Sequence, residues 1–153
     1  FTGIDSTYKN YLIMFDNVIP DNTSLFRMRT SSNGGASYDS GAGNYHYAFN
    51  ISTTAPANDP QGSSGATLME LNGNTQTNTD QVSGLVYLFN PSNSSVYTSI
   101  VFQSISSGTG TNMRPSSGGG QRVSAAAVNA VRLYFSGGAA NITSGTFKLY
   151  GIL

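Results

Sequence analysis

His46 is the only histidine in this chain of 153 residues, and there is no cysteine. A Ser-His-Asp arrangement needs just one histidine, but no nucleophile motif lies near His46. A transition-metal site built on one histidine and no cysteine is not expected, and thiol chemistry is excluded. We expect His46 to face solvent or to be hydrogen-bonded, with ligand contact as the alternative.

Seven carboxylates could serve acid–base chemistry: Asp5, Asp16, Asp21, Asp39, Asp59, Glu70 and Asp80. A glycosidase needs two carboxylates about 5–10 Å apart with separated pKa values. No local motif proposes such a pair, although a pair across two strands stays open. A calcium loop of the EF-hand type is also missing, so a calcium site is unsupported.

Three Gly-x-Gly pairs occur, at Gly41/Gly43, Gly108/Gly110 and Gly118/Gly120. All of them lack the third glycine of a dinucleotide-binding loop. We expect them to be plain flexible loops. Together with the thin supply of acid–base groups, they predict a protein that is not an enzyme and that binds no cofactor and no metal.

Binding chemistry is better represented than catalytic chemistry. A Gly-rich segment and the strand after it carry Tyr38, Asp39, Asn44, Tyr45 and His46. Tyrosine rings stack on sugars, and amides match sugar hydroxyl groups. These five residues are therefore candidates for binding a neutral polysaccharide. The alternative is that Tyr45 belongs to the core and Tyr38 only pins the loop.

A second candidate surface combines cations with phenols. Arg132 and Tyr134 alternate with an apolar row, and so do Lys148 and Tyr150. If the two strands are neighbours, the four side chains form one outward patch, which would serve as a subunit interface or a ligand platform. An ordinary sheet exterior with cation–π contacts is the alternative.

The composition excludes several classes of protein. Ser, Thr, Asn and Gly make up almost half of the chain, charged residues are 9%, and the formal net charge is zero. Nucleic-acid binding needs clustered basic residues, which are missing here. No apolar run is long enough for a membrane span. The 38% hydrophobic content, gathered into short blocks, argues against disorder.

The apolar blocks alternate with period two, which predicts strands. The first block is apolar on both sides, with Ile13 and Phe15 on one face and Leu12 and Met14 on the other. A strand of this kind is expected to be central or covered twice. The predicted strands are 8–19, 25–30, 45–51, 66–71, 82–89, 96–105, 130–135 and 145–152, with a short ninth at 121–123 and one helical turn open at 124–128.

Four Gly/Ser/Asn-rich linkers separate the blocks, at 31–44, 52–65, 73–80 and 106–120. Such long connections suit crossovers between two packed sheets. We therefore predict an all-β fold, an antiparallel β-sandwich of jelly-roll type with about eight strands. The chain begins without methionine and ends in a strand-like block. We expect a single domain over 1–153, the C-terminal part of a longer or processed chain.

Both ends of the chain resemble a known kind of domain. The segments are 8–20 (YKNYLIMFDNVIP), 25–35 (LFRMRTSSNGG), 38–42 (YDSGA) with Tyr45, and the closing 131–138 (VRLYFSGG) and 141–152 (NITSGTFKLYGI). They are similar to tail-fibre, receptor-binding and head-decoration proteins of tailed phages. The resemblance covers about 60 residues and leaves the middle of the chain out. It implies a β-sandwich, commonly trimeric, without catalysis.

These observations predict a non-enzymatic virion domain of a fibre, spike or tip on the virion surface. Its expected partners are other virion proteins, further copies in a homotrimer, and host surface polysaccharide, to which it would adhere. Nucleic acid and membrane insertion are not expected. The alternative is a capsid decoration or fibre-assembly module with only protein–protein contacts, and a polysaccharide hydrolase is a third hypothesis.

Overall fold

The computed structural model describes residues 1–52, 58–107, 113–136 and 140–153. These residues contain ten β-strands and no helix, so none of them forms a helical membrane span. In chain order the strands are β1 Asn10–Pro20, β2 Leu25–Ser31, β3 Tyr45–Ser52, β4 Asn58–Ala66, β5 Met69–Glu70, β6 Gln81–Phe89, β7 Ser99–Ser107, β8 Met113–Arg122, β9 Ala130–Ser136 and β10 Ile142–Ile152.

The strands pair into two antiparallel sheets. The larger sheet has seven strands in the order β10-β1-β6-β7-β8-β3-β4, and the smaller has three in the order β5-β2-β9. The chain enters the smaller sheet at β2, β5 and β9 and returns to the larger sheet each time. The predicted fold class, an all-β antiparallel sandwich, is confirmed, with ten strands among the described residues.

The core lies between the two sheets. The ring of Phe26 on β2 contacts Phe15 of the larger sheet, with ring centroids 5.0 Å apart, and Phe135 on β9, at 5.1 Å. All three side chains are buried. Burying such rings from both sheets removes a large apolar area from water, which is the main force holding the layers together.

In β7, the middle strand of the larger sheet, apolar residues alternate between a buried and an exposed face. Along β7, Ile100 and Phe102 are buried, whereas Val101 and Ile105 are exposed. Successive side chains of a strand point to opposite faces. The inner face therefore meets the core, and the outer face carries apolar side chains that nothing in the described chain covers.

Two of the predicted linkers contain strands, so that part of the prediction is wrong. β4 takes up 58–65 of the linker 52–65, and β8 takes up 113–120 of the linker 106–120. Both are rich in Gly and Ser and lack apolar alternation, but β8 is paired on both sides, with β7 and with β3. The pairing partners decide strand formation here, as tertiary context often does. Residues 121–122 end β8, and no helical turn forms at 124–128.

The prediction of a flexible loop at Gly118 and Gly120 is also wrong, because both lie inside β8. A Cβ atom at Gly118 would stand 2.3 Å from the carbonyl oxygen of Ala48 on the neighbouring β3. Close approach of two strands therefore requires glycine at this point. The pair Gly41/Gly43 does lie in a turn, and 108–110 fall outside the described residues.

Candidate functional site

The hydroxyl group of Tyr45 sits in a buried hydrogen-bond network beneath the loop 31–44. It accepts a hydrogen bond from the backbone N–H of Thr30 at 2.8 Å and donates to the carbonyl oxygen of Asp39 at 3.3 Å. Tyr45 itself is fully buried. This matches the alternative in which Tyr45 belongs to the core, and its ring is not available to a sugar.

The carboxylate of Asp39 is committed to the same network. Its two oxygens accept from Nε and Nη2 of Arg122 at 2.7 and 3.2 Å, and Oδ2 also accepts from the hydroxyl of Thr30 at 2.8 Å. Arg122 completes its bonds by donating to the carbonyl oxygen of Ala126 at 2.7 Å. A bidentate pair of this kind fixes the loop to β8. Asp39 is thus placed as a structural residue.

The remaining candidates of this group lie in separate places. In the amide orientation that suits its neighbours, Asn44 accepts from the backbone N–H of Gly41 at 2.9 Å and so shapes the turn. His46 lies on the outer face of the larger sheet, in a shallow depression of about 690 Å³ shared with Ser63 and Gln121. Tyr38 lies elsewhere, in a depression described below. The five residues do not form one pocket.

Tyr38 shares a depression of about 320 Å³ with Arg132, one of the candidates predicted for the second surface. The depression runs along the edge of β9, and its other walls are Phe1, Val131, Leu133, Ile142 and Phe147. An aromatic residue and an arginine that line one depression can together bind an apolar ring with an attached anion. Sequence alone could not predict this meeting, because the two residues are far apart in the chain.

The single patch of Arg132, Tyr134, Lys148 and Tyr150 was predicted only if their two strands are neighbours, and they are not. The alternative, a sheet exterior with cation–π contacts, is found at Tyr134. β9 pairs with β2 in the smaller sheet, and β10 pairs with β1 in the larger sheet. Consecutive strands of a sandwich often belong to different sheets, so closeness in sequence did not imply pairing here. Tyr134 instead lies against Arg132 and Arg29, whose Cζ atoms are 4.8 and 5.6 Å from its ring centroid.

The outer face of the larger sheet exposes several large apolar side chains. One row across all seven strands reads Tyr150, Leu12, Tyr87, Val101, Gly119, Ala48 and Gly62. Around this row, the exposed large side chains are Met14, Phe89, Val101, Ile105, Met113 and Tyr150. The charged side chains that the described strands place on this face are Asp16 and Lys148. We call this surface the outer apolar face.

The sequence held a signal for this face. The first block was apolar on both sides, which predicted a strand that is central or covered twice. β1 is that strand, and it is paired on both sides, with β10 and with β6. Its inner residues Ile13 and Phe15 are buried, while Met14 on the outer side remains 45% exposed. The first alternative therefore holds, and a second covering of β1 is not supplied by the described part of this chain.

No family model, curated protein or solved structure matches this chain. Its function must therefore be argued from the geometry of its own residues. Within the described ranges, no three His, Asp or Glu side chains come together in a way that could hold a metal ion.

The buried Tyr45 hydroxyl predicts a dependence of stability on alkaline pH. Burial raises the pKa of Tyr45, and burial also raises the pKa values of Tyr11, Tyr47 and Tyr134. Above pH ~10, the unfolded chain loses phenol protons that the folded chain still holds, so stability falls as pH rises. We expect Tyr45→Phe to flatten this fall and to cost about 1–3 kcal/mol at neutral pH, because the N–H of Thr30 loses its partner.

Urea unfolding at pH 8, 10 and 11 measures both effects. Tyr97→Phe is the matched control, since Tyr97 is 45% exposed. An unchanged slope between pH 10 and 11 in Tyr45→Phe would contradict this assignment.

Proposed function

We propose that this chain is a non-enzymatic structural domain of a phage particle that assembles with further copies of itself through the outer apolar face. The observation that carries the proposal is the exposure of that face. Exposed apolar side chains that cluster on one face of a soluble protein mark a site of interaction with another protein. The resemblance of both chain ends to phage appendage and decoration domains supports a place on a phage particle. The same resemblance implies a trimer on the virion surface.

A second copy of the same chain suits this face better than a charged partner does. The chain has zero formal net charge, so copies do not repel each other. A depression of about 590 Å³ opens on the face between Met14 and Leu85, flanked by Asp16 and Lys148. Neither of these two charges forms an ion pair with a described residue. A threefold interface joins different parts of the surface of two copies, which allows Asp16 of one copy to pair with Lys148 of the next.

The proposal includes the absence of catalysis. Of the seven carboxylates, Asp39 and Glu70 are bound in ion pairs with Arg122 and Arg27. Asp21 holds the backbone and side chain of Asn141. Carboxylates used in this way support a structural role more than a hydrolytic one.

Substitution of Val101 at the centre of the outer apolar face tests the assembly. We expect the wild-type chain to have three times the monomer mass at micromolar concentration, and Val101→Glu to weaken association at least tenfold. Burying a valine contributes roughly 1.5–3 kcal/mol, and an unpaired buried charge adds a further cost. Sedimentation equilibrium measures the mass, and circular dichroism checks that the variant is folded.

Val96→Glu is the matched control. Val96 is 46% exposed, almost the same as Val101 at 45%, but it lies in the loop between β6 and β7. It should leave the mass unchanged. A wild-type monomer at 100 μM would overturn the proposal, and a dimer would overturn the trimer while keeping the interface.

Attachment to host surface polysaccharide is the second candidate function. The depression that joins Tyr38 to Arg132 favours it, since a sugar needs an aromatic surface and polar groups side by side. Many copies on one particle would compensate for weak single sites. Adsorption of the purified oligomer to host cells tests this candidate, and no adsorption together with tight binding to phage particles would leave the assembly role alone.

A further inference from the structure

The outer face of the smaller sheet carries an unusual arrangement of cations. Arg29 on β2 and Arg132 on β9 are direct cross-strand partners, and Arg27 is the cross-strand partner of Tyr134. Like charges directly opposite each other destabilise a sheet. Three of the seven basic residues of the chain, Arg27, Arg29 and Arg132, lie on this one face.

No carboxylate of the protein offsets the charges of Arg29 and Arg132. Glu70 pairs with Arg27 at 2.9 Å, and Asp39 pairs with Arg122. The other five carboxylates bond to groups elsewhere: Asp5 to Thr7 and Tyr11, Asp16 to Ser83, Asp21 to Asn141, Asp59 to Gln61, and Asp80 to Thr77. The segments 53–57, 108–112 and 137–139 contain no Asp or Glu.

The two guanidinium groups have fixed neighbours, but most of their N–H donors have no acceptor among the described residues. Arg29 donates from Nε to the carbonyl oxygen of Thr67 at 3.0 Å, which fixes its direction. Both groups also lie against the ring of Tyr134. Among the described residues, the terminal nitrogens of Arg29 and all three nitrogens of Arg132 have no hydrogen-bond acceptor. Guanidinium groups bind carboxylates through two parallel N–H donors. The free donors of Arg29 and Arg132 can therefore bind an anion.

An aromatic depression adjoins Arg132, while Arg29 does not line it. Arg132 lines the hollow of about 320 Å³ that also contains Tyr38, Phe1 and Phe147. A pyranose ring can place its apolar C–H face on an aromatic ring, while a carboxylate on the ring reaches the guanidinium group. A carboxylate on a protein side chain would use the arginines but not the hollow.

We propose that Arg132 and Tyr38, with Arg29 as the cross-strand neighbour of Arg132, form a binding site for a carboxylate-bearing sugar. This inference rests on the second candidate function, attachment to surface polysaccharide, and names the class of sugar. It replaces the neutral polysaccharide predicted from the low overall charge. Few residues of the chain are charged, but three arginines lie together on the outer face of the smaller sheet.

The test titrates the ¹⁵N-labelled protein with glucuronic acid, glucose and acetate, and follows backbone amide shifts. We expect glucuronic acid to move the amides of Tyr38 and Arg132 and their neighbours, and to bind at least tenfold more tightly than glucose or acetate. Equal binding of glucose would overturn the role of the arginines. Equal binding of acetate would overturn the role of the sugar ring, and no shift with any probe would overturn the site.

Arg132→Gln should lower the affinity for glucuronic acid at least tenfold, whereas Arg114→Gln removes the same charge from β8 and should leave it unchanged. Arg132→Gln removes the repulsion between Arg29 and Arg132, so the variant should be at least as stable as the wild type. A loss of affinity in this variant would therefore not be caused by unfolding. The mass of each sample is measured in parallel. Failed binding by an intact oligomer overturns this site alone, and adsorption to cells without glucuronic acid binding leaves attachment standing through another sugar.

Discussion

Replacing Asp39 with Asn should lower the free energy of unfolding by about 3 kcal/mol, because Arg122 would keep a buried charge without its partner. The side chain of Arg122 is only 5% exposed, and that of Asp39 is 21% exposed. The loss therefore falls at the low end of the range for buried pairs. The same change releases the hydroxyl of Thr30. Chemical denaturation at pH 7 measures the difference.

Asp59→Asn is the control for this prediction. Asp59 is exposed and its carboxylate bonds to the amide of Gln61, so the cost should stay within about 0.5 kcal/mol. Arg122→Met combined with Asp39→Asn should be less destabilising than the sum of the two single changes, because both charges are then absent. Additive effects would contradict a direct ion pair between the two residues.

Gly118→Ala should destabilise the protein by at least about 3 kcal/mol or prevent folding, since overpacking against backbone leaves little room to relax. The added Cβ would lie 2.3 Å from the carbonyl oxygen of Ala48 and 2.3 Å from the Cβ of Phe49. Both atoms belong to β3, which is held by strands on each side. Soluble yield and thermal unfolding measure the effect.

Gly65→Ala is the matched control, because a Cβ there meets no atom within 4 Å. It should be neutral or slightly stabilising, since alanine restricts the unfolded chain. If Gly118→Ala were as stable as Gly65→Ala, the segment around Gly118 would be the flexible loop that the sequence suggested and not part of β8.

The alternation of apolar residues was enough to predict the strands that cover the core. Blocks such as 82–89 and 130–135 coincide closely with β6 and β9. The same rule missed β4 and β8, because their residues are small and polar and are held by neighbouring strands. The alternation rule depends on buried apolar side chains, and β4 and β8 contain none that is fully buried.

The candidate site was predictable only in part. Tyr38 and Arg132 were each selected for their chemistry, but their meeting depends on β9 lying beside the loop that follows β2. The ion pair of Asp39 with Arg122 joins residues 83 positions apart in the chain. The role of Arg29 could not be predicted, because it depends on the position of Arg29 opposite Arg132. The register between two distant strands does not follow from the sequence of either strand alone.

The two proposals use opposite sides of the sandwich. The outer apolar face lies on the larger sheet, and the arginine pair lies on the smaller sheet. An assembly that buries the larger sheet would therefore leave the smaller sheet exposed on its outside. Many copies of a weak carboxylate site would then face outward together, which is the arrangement from which multivalent binding gains most.

Oxidation of methionine by dilute peroxide tests most directly whether assembly buries the outer apolar face, because it needs no label in the wild-type chain. Met14 and Met113 lie on that face, at 45% and 48% exposure, while Met28 and Met69 are fully buried in the core. We expect Met14 in the wild-type oligomer to oxidise at least tenfold more slowly than Met14 in Val101→Glu, as measured by peptide mass spectrometry. Equal, fast oxidation of Met14 in both proteins would show that the face is open to solvent and would contradict the account.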